Sequence, residues 1–378
     1  MKILRIFKLF ITILPKLKKQ EIYFFFPFYH LGGAETVHND ILEVFSKKDS
    51  VCFITNKSVN KFNKANFEKS TVLLEINKII RSRFLKKIAL KKISSKINAT
   101  NNPIVFGCNS EFFYELIPYL DEKVKVIDLI HAFSYEENSA AEKVSLKVVE
   151  RINKRVVLGE KTKTDFKELY LKENKNLALL ERIKIIKNKV NVPEVKIIKD
   201  FLSPMVILFV ARDSYEKRPE LFFEIAKKSY EINPDIKFKV IGDNFENHEI
   251  SPNVEIIGPI QEKNIINTYY KEADLILITS SREGFPMVIL EGMSYGVVPI
   301  STNVGEISTF INDKNQNGFL IDNHTDKQQI VADFLESIQY INKNRNTLEK
   351  YSLNAYNSVK QEFSSETNKE NYLNLFFN

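Results

Sequence analysis

Short runs of apolar, β-branched and aromatic residues alternate with longer stretches of helical periodicity along the whole chain. A first series of runs falls at residues 22–26, 51–55, 71–74, 104–106, 124–130 and 156–158. A second falls at residues 206–210, 238–241, 254–257, 275–279, 297–301 and 319–321. Strands separated by helices predict right-handed βαβ units and mostly parallel sheets. The expected fold class is therefore α/β, with two Rossmann-like, doubly wound domains. Residues 171–204, rich in Lys, Glu and Asn and carrying Pro193 and Pro204, read as the junction. The pattern sets an N-terminal segment at 1–20, a first domain at 21–185, a second at 186–360 and a C-terminal helix at 361–378 that can return to the first domain. Helices are predicted at 326–342 and 345–363, and the chain has no solenoid repeat.

Composition narrows the class. With 378 residues, 44% hydrophobic and 27% charged, the chain is an ordinary globular one and too long for a single core. Its two cysteines, Cys52 and Cys108, stand in no CxxC or Cys/His cluster, which argues against a disulfide framework or a structural zinc site and for a reducing, cytoplasmic setting. The net charge of +7 is unevenly spread: residues 1–100 hold 20 basic and 7 acidic residues, a net +13, leaving −6 for the remainder.

Within residues 1–20, Lys2, Arg5, Lys8, Lys16, Lys18 and Lys19 face no acidic residue, and the first three recur every third position among Ile, Leu and Phe. A narrow charged stripe on an apolar helix suits a membrane interface. The segment makes a poor signal peptide, since charges interrupt the apolar run, and it is shorter than the roughly 20 apolar residues that span a bilayer. Residues 78–96 carry a second run, with Arg81, Arg83, Lys86, Lys87, Lys91, Lys92 and Lys96. An anionic membrane surface is the partner these runs suggest, on the inner face of the cell membrane. No nucleic-acid module accompanies them.

Residues 280–301, SSREGFPMVILEGMSYGVVPIS, follow a strand pattern, open a helix near Pro286 and close it at Gly296. If all residues between Glu283 and Glu291 were helical, eight steps of about 1.5 Å would part the carboxylates by about 12 Å. A glycosidase needs about 5–9.5 Å. A nucleotide sugar is longer: one carboxylate can hold sugar hydroxyls and the other ribose hydroxyls, while the diphosphate lies over the helix N-terminus. The site is expected at the carboxyl ends of the strands. Upstream, residues 209–219, FVARDSYEKRP, form a strand and a cation-bearing loop, and residues 27–36 place Gly32 and Gly33 at a helix start where backbone can approach a ligand.

Together, Glu283 and Glu291 with their seven-residue spacing, residues 302–306 (TNVGE), residues 317–320 (NGFL), residues 209–219 and the Gly32-Gly33-Ala34-Glu35 turn resemble the retaining glycosyltransferases of family 4, which have the two-domain GT-B fold. The resemblance runs from Phe26 to about Asp322. It implies that Glu283 contacts the donor sugar and Glu291 the ribose, with Gly32, Gly33, Phe285, Pro286 and Met287 also lining the donor. Arg212 and Lys217 fall where the family places its diphosphate-binding cations. Ala211 stands where a glycine is usual, and Arg218 where a glycine often follows the lysine, so motif position favours Lys217 over Arg218. His131, at the end of the strand 124–130, matches a histidine that faces the donor sugar.

The resemblance implies transfer of a sugar, with retention and without a metal ion or other cofactor, from a UDP- or GDP-sugar to a glycan or lipid-linked glycan acceptor. The first domain would bind the acceptor and the second the donor. Membrane-facing basicity points to cell-envelope polysaccharide synthesis. A nucleotide-sugar epimerase and a catalytically idle membrane scaffold of the same architecture stand as alternatives.

Overall fold

The computed structural model describes residues 8–17, 20–30, 32–134 and 139–378. The chain divides into two compact units, one running to Lys187 and including Glu366–Asn378, the other Asn188–Ser365.

Strands β1 (Ile22–Phe26), β2 (Ser50–Ile54), β3 (Val72–Glu75), β4 (Ile104–Cys108), β5 (Lys125–Ile130), β6 (Lys154–Val157) and β7 (Ile183–Ile185) of unit 1 form a parallel sheet of order β3-β2-β1-β4-β5-β6-β7. Ile22 pairs with Ser50 on one side and Ile104 on the other, so winding reverses between β1 and β4. Every residue of β1, β2 and β4 is buried, which explains the uninterrupted apolar runs. The principal helices are α1 (Gly33–Val44), α2 (Arg83–Asn98) and α3 (Glu160–Lys172). β7 was not expected: Ile183-Lys184-Ile185 is too short and too close to polar sequence to stand out as a strand.

A charged cluster lies inside this unit. Arg155 on β6 is 2% exposed and forks onto Asp128 of β5, Nε to Oδ1 at 3.0 Å and Nη2 to Oδ2 at 2.6 Å. It also donates to Tyr170 Oη (3.0 Å) and Ser145 Oγ (2.7 Å), and its guanidinium lies 4.4 Å from the Phe166 ring centroid.

In unit 2, strands β8 (Val206–Val210), β9 (Lys237–Ile241), β10 (Val254–Gly258), β11 (Leu275–Ile278), β12 (Val298–Thr302) and β13 (Phe319–Ile321) form a second parallel sheet, ordered β10-β9-β8-β11-β12-β13. Winding here reverses between β8 and β11. Helices α4 (Pro219–Ile232), α5 (Lys263–Glu272), α6 (Met287–Ser294), α7 (Lys327–Lys343) and α8 (Arg345–Glu362) complete it. Pro219 sits at the first position of α4, where its missing N–H leaves nothing unpaired.

The last helix, α9 (Ser365–Phe377), carries the end of the chain onto the first sheet. Phe376 packs against Phe45, Phe106 and Phe24, and Lys125 Nζ donates to its carbonyl at 2.9 Å.

The described part of the N-terminal segment differs from the expected interfacial helix. Lys8–Ile13 forms a π turn and Leu14–Leu17 a 3-10 turn. Leu9, Ile13, Leu14 and Leu17 are buried in the core of unit 1 with Leu85, Ala89 and Ile93 of α2. Among the described residues those four apolar side chains are thus covered by the protein, while Phe10 and Ile11 are exposed, with Lys92 Nζ 5.9 Å from the Phe10 ring centroid. Lys2, Arg5, Lys18 and Lys19 lie outside the described residues. No helix among the described residues is long and apolar enough to cross a membrane.

Candidate functional site

The switch point of a doubly wound sheet leaves a crevice at the carboxyl ends of the two strands that diverge there. In unit 2 those strands are β8 and β11. Beyond β8 the chain runs through Arg212, which is exposed, to Lys217; beyond β11 it runs through Thr279 and Ser280 to Glu283. Lys217 Nζ meets Glu283 Oε1 at 2.6 Å, and Ser280 Oγ donates to the same oxygen at 2.6 Å. The Glu283 side chain is 9% exposed. Two cations and a held carboxylate therefore gather on adjoining loops.

Arg218 explains the absent glycine. Its backbone is left-handed, at φ +49°, the conformation that favours glycine, and it stands immediately before α4. Its guanidinium compensates by donating to the carbonyls of Thr279 (2.6 Å) and Ser280 (2.7 Å) and to Asn323 Oδ1 (2.8 Å). Thr279 Oγ1 returns hydrogen bonds to the carbonyls of Lys217 (2.8 Å) and Arg218 (3.1 Å). Arg218 is thus the buried strut between the two loops, while Arg212 is exposed and Lys217 is held by Glu283.

The helix after Glu283 begins at Met287, with Pro286 as its cap and no side chain capping it. Only four of the eight steps to Glu291 are helical, so the axial rise between the first helical residue and Glu291 is about 6 Å, and a loop sets the remaining separation. Free N–H groups in that first turn favour an anion. Phe285, Pro286 and Met287 are buried, and the Phe285 ring centroid lies 5.7 Å from that of Phe310 and 5.5 Å from that of Phe363. The segment therefore offers backbone rather than these side chains to a ligand. Glu291 is half-buried, and Tyr270 Oη donates to its Oε2 at 3.1 Å.

Gly305 supports the Glu283 loop from behind. It sits at φ +59°, where a Cβ would collide with the carbonyls of Glu283 and Gly284, while Glu306 N–H donates to the Gly284 carbonyl at 2.9 Å. Gly305→Ala is expected to cost about 1–3 kcal/mol through the left-handed conformation alone and to displace Glu283. Unchanged melting and unchanged nucleotide binding in that variant would refute this account.

In unit 1, Gly32 precedes α1 and Gly33 opens it. The Gly32 carbonyl accepts from Thr36 N–H (3.0 Å) and Oγ1 (3.1 Å), and a Cβ on Gly32 would meet the Glu35 carboxylate. Glu35 is 6% exposed, with His30 Nε2 at 3.5 Å from its Oε1. His131, just past β5, is half-buried, and its Nε2 lies 3.0 Å from His38 Nε2 on α1. Burial lowers the His131 pKa to about 4, so the ring is neutral near pH 7. His38 stacks on Phe26 at the end of β1, centroids 4.1 Å apart. Sequence reasoning missed Ser280, Tyr270, His38 and the strut role of Arg218, none of which lies in a local pattern that marks its partner.

The sequence profile described as glycosyl transferases group 1 spans the elements that build the unit 2 site. Residues 194–358 match it. No curated protein matches the chain by sequence. Among solved structures, the Anabaena HepE protein in complex with UDP-glucose is 14% identical, with a TM-score of 0.72 over 93% of this chain and 98% of that one. The lipopolysaccharide outer core galactosyltransferase WaaB is 19% identical, with a TM-score of 0.69 over 94% and 99% of the two chains. A point mutant of S. aureus TarM, solved with Fondaparinux, alpha-GlcNAc-glycerol and UDP, is 20% identical, with a TM-score of 0.61; the match takes in 78% of this chain and 58% of that longer one. These likenesses and the two parallel sheets give the GT-B fold. The group 1 glycosyl transferase match contains Arg212, Lys217, Glu283 and Glu291; His131, Gly32 and Gly33 lie in the other unit.

Proposed function

We propose that the protein is a retaining, metal-independent glycosyltransferase of family 4 that moves a sugar from a UDP- or GDP-sugar to a hydroxyl of a cell-envelope glycan or its lipid-linked precursor. The observation that carries this reading is the Lys217–Glu283 pair at the β8/β11 switch point, beside Arg212 and the uncapped start of α6, inside a group 1 glycosyl transferase match. Lys217 and Arg212 neutralise the leaving diphosphate, a task that otherwise calls for a metal ion. Glu283, freed from Lys217 as the phosphate takes the cation, receives sugar hydroxyls, and His131 orients the sugar. Glu291, held by Tyr270, receives the ribose. The bond from the anomeric carbon to the diphosphate oxygen breaks, the bond to the acceptor oxygen forms on the same face, and the acceptor proton passes to the departing phosphate. HepE binds UDP-glucose and WaaB is a lipopolysaccharide galactosyltransferase, which favours a nucleotide sugar and an envelope acceptor here.

A thermal-shift screen tests donor binding: a nucleotide sugar at about 100 times its Kd should add about 2.7 kcal/mol of stability. Product analysis by NMR should show the donor's anomeric configuration kept, and Glu291→Ala should lose binding of donor. Turnover should persist in a chelator; its complete loss there would overturn the metal-free reading.

We further propose that unit 1 meets an anionic membrane. Arg81, Arg83, Lys87, Lys91 and Lys92 are exposed on and before α2, next to the exposed Phe10 and Ile11. Each charge that reaches anionic lipid contributes about 1 kcal/mol. Because Leu9, Ile13, Leu14 and Leu17 are part of the core, reversal of Lys87, Lys91 and Lys92 to Glu is a cleaner test than truncation: sedimentation with phosphatidylserine vesicles should be lost while the fold is kept. Equal sedimentation of wild type and variant would sink the idea.

A further inference from the structure

The switch point of unit 1 holds a group of side chains of which the transferase reading uses only His131. β1 and β4 diverge there, ending at Phe26 and Cys108, while α1 brings His38 over Phe26 and the end of β5 brings His131. One ligand-type atom from each of His38, Cys108 and His131 lies within 4.8 Å of the others. His38 and Cys108 are fully buried and His131 is half-buried. Cys108 is a free thiol.

The hydrogen-bonding of this group is incomplete as it stands. A neutral imidazole carries one N–H, so an Nε2-to-Nε2 contact at 3.0 Å requires one ring to donate from Nε2. If His38 donates, its Nδ1 is a bare acceptor; if His131 donates, His38 Nδ1 carries the proton. In the structure His38 Nδ1 is buried with no hydrogen-bond partner either way. A metal on His38 Nε2 fixes the ring's proton at Nδ1 and leaves that atom unpaired still, so it is the closeness of the three ligand atoms that points to a metal.

We propose that His38, Cys108 and His131 form a binding site for Zn²⁺ at the β1/β4 switch point of unit 1. Two imidazoles and a thiolate match zinc's preferred donors, and three protein ligands with a fourth position open describe an accessible rather than a sealed site. Zinc bonds of about 2.0–2.1 Å to nitrogen and 2.3 Å to sulfur place tetrahedral ligand atoms about 3.3–3.6 Å apart. The 3.0 Å histidine contact needs to open slightly, and the widest separation in the group to close by about 1 Å. Binding turns the Cys108 thiol into a thiolate and releases its proton to solvent. His131 is the open-side ligand, so zinc holds the ring that the transferase reading assigns to the donor sugar. On that reading zinc inhibits transfer; the metal site itself does not depend on it.

Protein dialysed against chelator and then titrated with Zn²⁺ in competition with a chromogenic chelator tests the site directly, with Co²⁺ as a spectroscopic substitute. One equivalent should bind, and Co²⁺ should show a thiolate charge-transfer band in the near ultraviolet. Cys108→Ser should abolish that band and weaken Zn²⁺ at least about 100-fold, since even outer partners of zinc ligands are worth 10–100-fold. Cys52→Ser, at the other buried cysteine, should change neither. His131→Gln, at the half-buried position, provides a second variant should Cys108→Ser fail to melt cooperatively, and should weaken Zn²⁺ comparably. Wild-type affinity in either ligand variant, or no band with Co²⁺, would overturn the proposal. Donor-induced stabilisation of unit 2, followed in the same samples, reports on the transferase reading separately.

Discussion

An Arg155→Met variant is expected to lose about 3–5 kcal/mol of stability, the usual consequence of removing one partner from a buried ion pair. Asp128 is fully buried and would keep only Tyr114 Oη, at 3.3 Å, as a side-chain donor among the contacts described. Tyr170 and Ser145 would lose a charged donor at the same time. For a unit of this size the loss corresponds to a fall in melting temperature of about 6–20 °C. Thermal melts of the single variants and of Asp128→Asn/Arg155→Met give the decisive comparison. The double variant should recover much of the loss, because no uncompensated charge stays buried; a double variant as unstable as the sum of the singles would refute the pairing argument. β5 also carries His131 at its end, so the single variant should disturb that residue too.

Lys217→Ala is expected to lower the transfer rate by about 10²–10³-fold, the range found when one preorganised donor to a developing anion is removed. Arg218→Ala provides the contrast. Its guanidinium is bound to backbone carbonyls, so its removal should show first as lost stability and only through loop displacement as lost rate. A Lys217→Ala enzyme as fast as wild type, or an Arg218→Ala enzyme that folds normally but no longer binds nucleotide sugar, would reverse the assignment of the phosphate-facing cation.

The alternation of apolar runs and helical stretches made both sheets legible, with every predicted run matching a strand to within two residues at either end. That succeeds because central parallel strands are buried on both faces and cannot carry polar residues. β7 escaped because an edge strand of three residues has one neighbour and little apolar content. The Glu283 and Glu291 spacing was visible, and so was a helix start near Pro286; that start puts four of the eight steps between the carboxylates in a loop, whose path the sequence did not show. The His38, Cys108 and His131 group could not be read at all. Its members are separated by 70 and 23 positions, and only the reversal of winding between β1 and β4 brings them together. For residues 9–17, amphipathic periodicity showed that a face is covered but not whether lipid or α2 covers it, and Lys2 and Arg5 of the charged stripe lie outside the described residues.

The docking of α9 on the first sheet has a kinetic consequence. Phe24, Phe45 and Phe106 leave the ribosome early, yet the ring that covers them belongs to Phe376. At about 5–20 residues per second, the interval between Lys187 and α9 lasts roughly 10–40 s. During that interval the second unit can fold as a continuous stretch of chain, whereas the first, although begun earlier, is completed last and meanwhile presents an aromatic face to the chaperones of the cell.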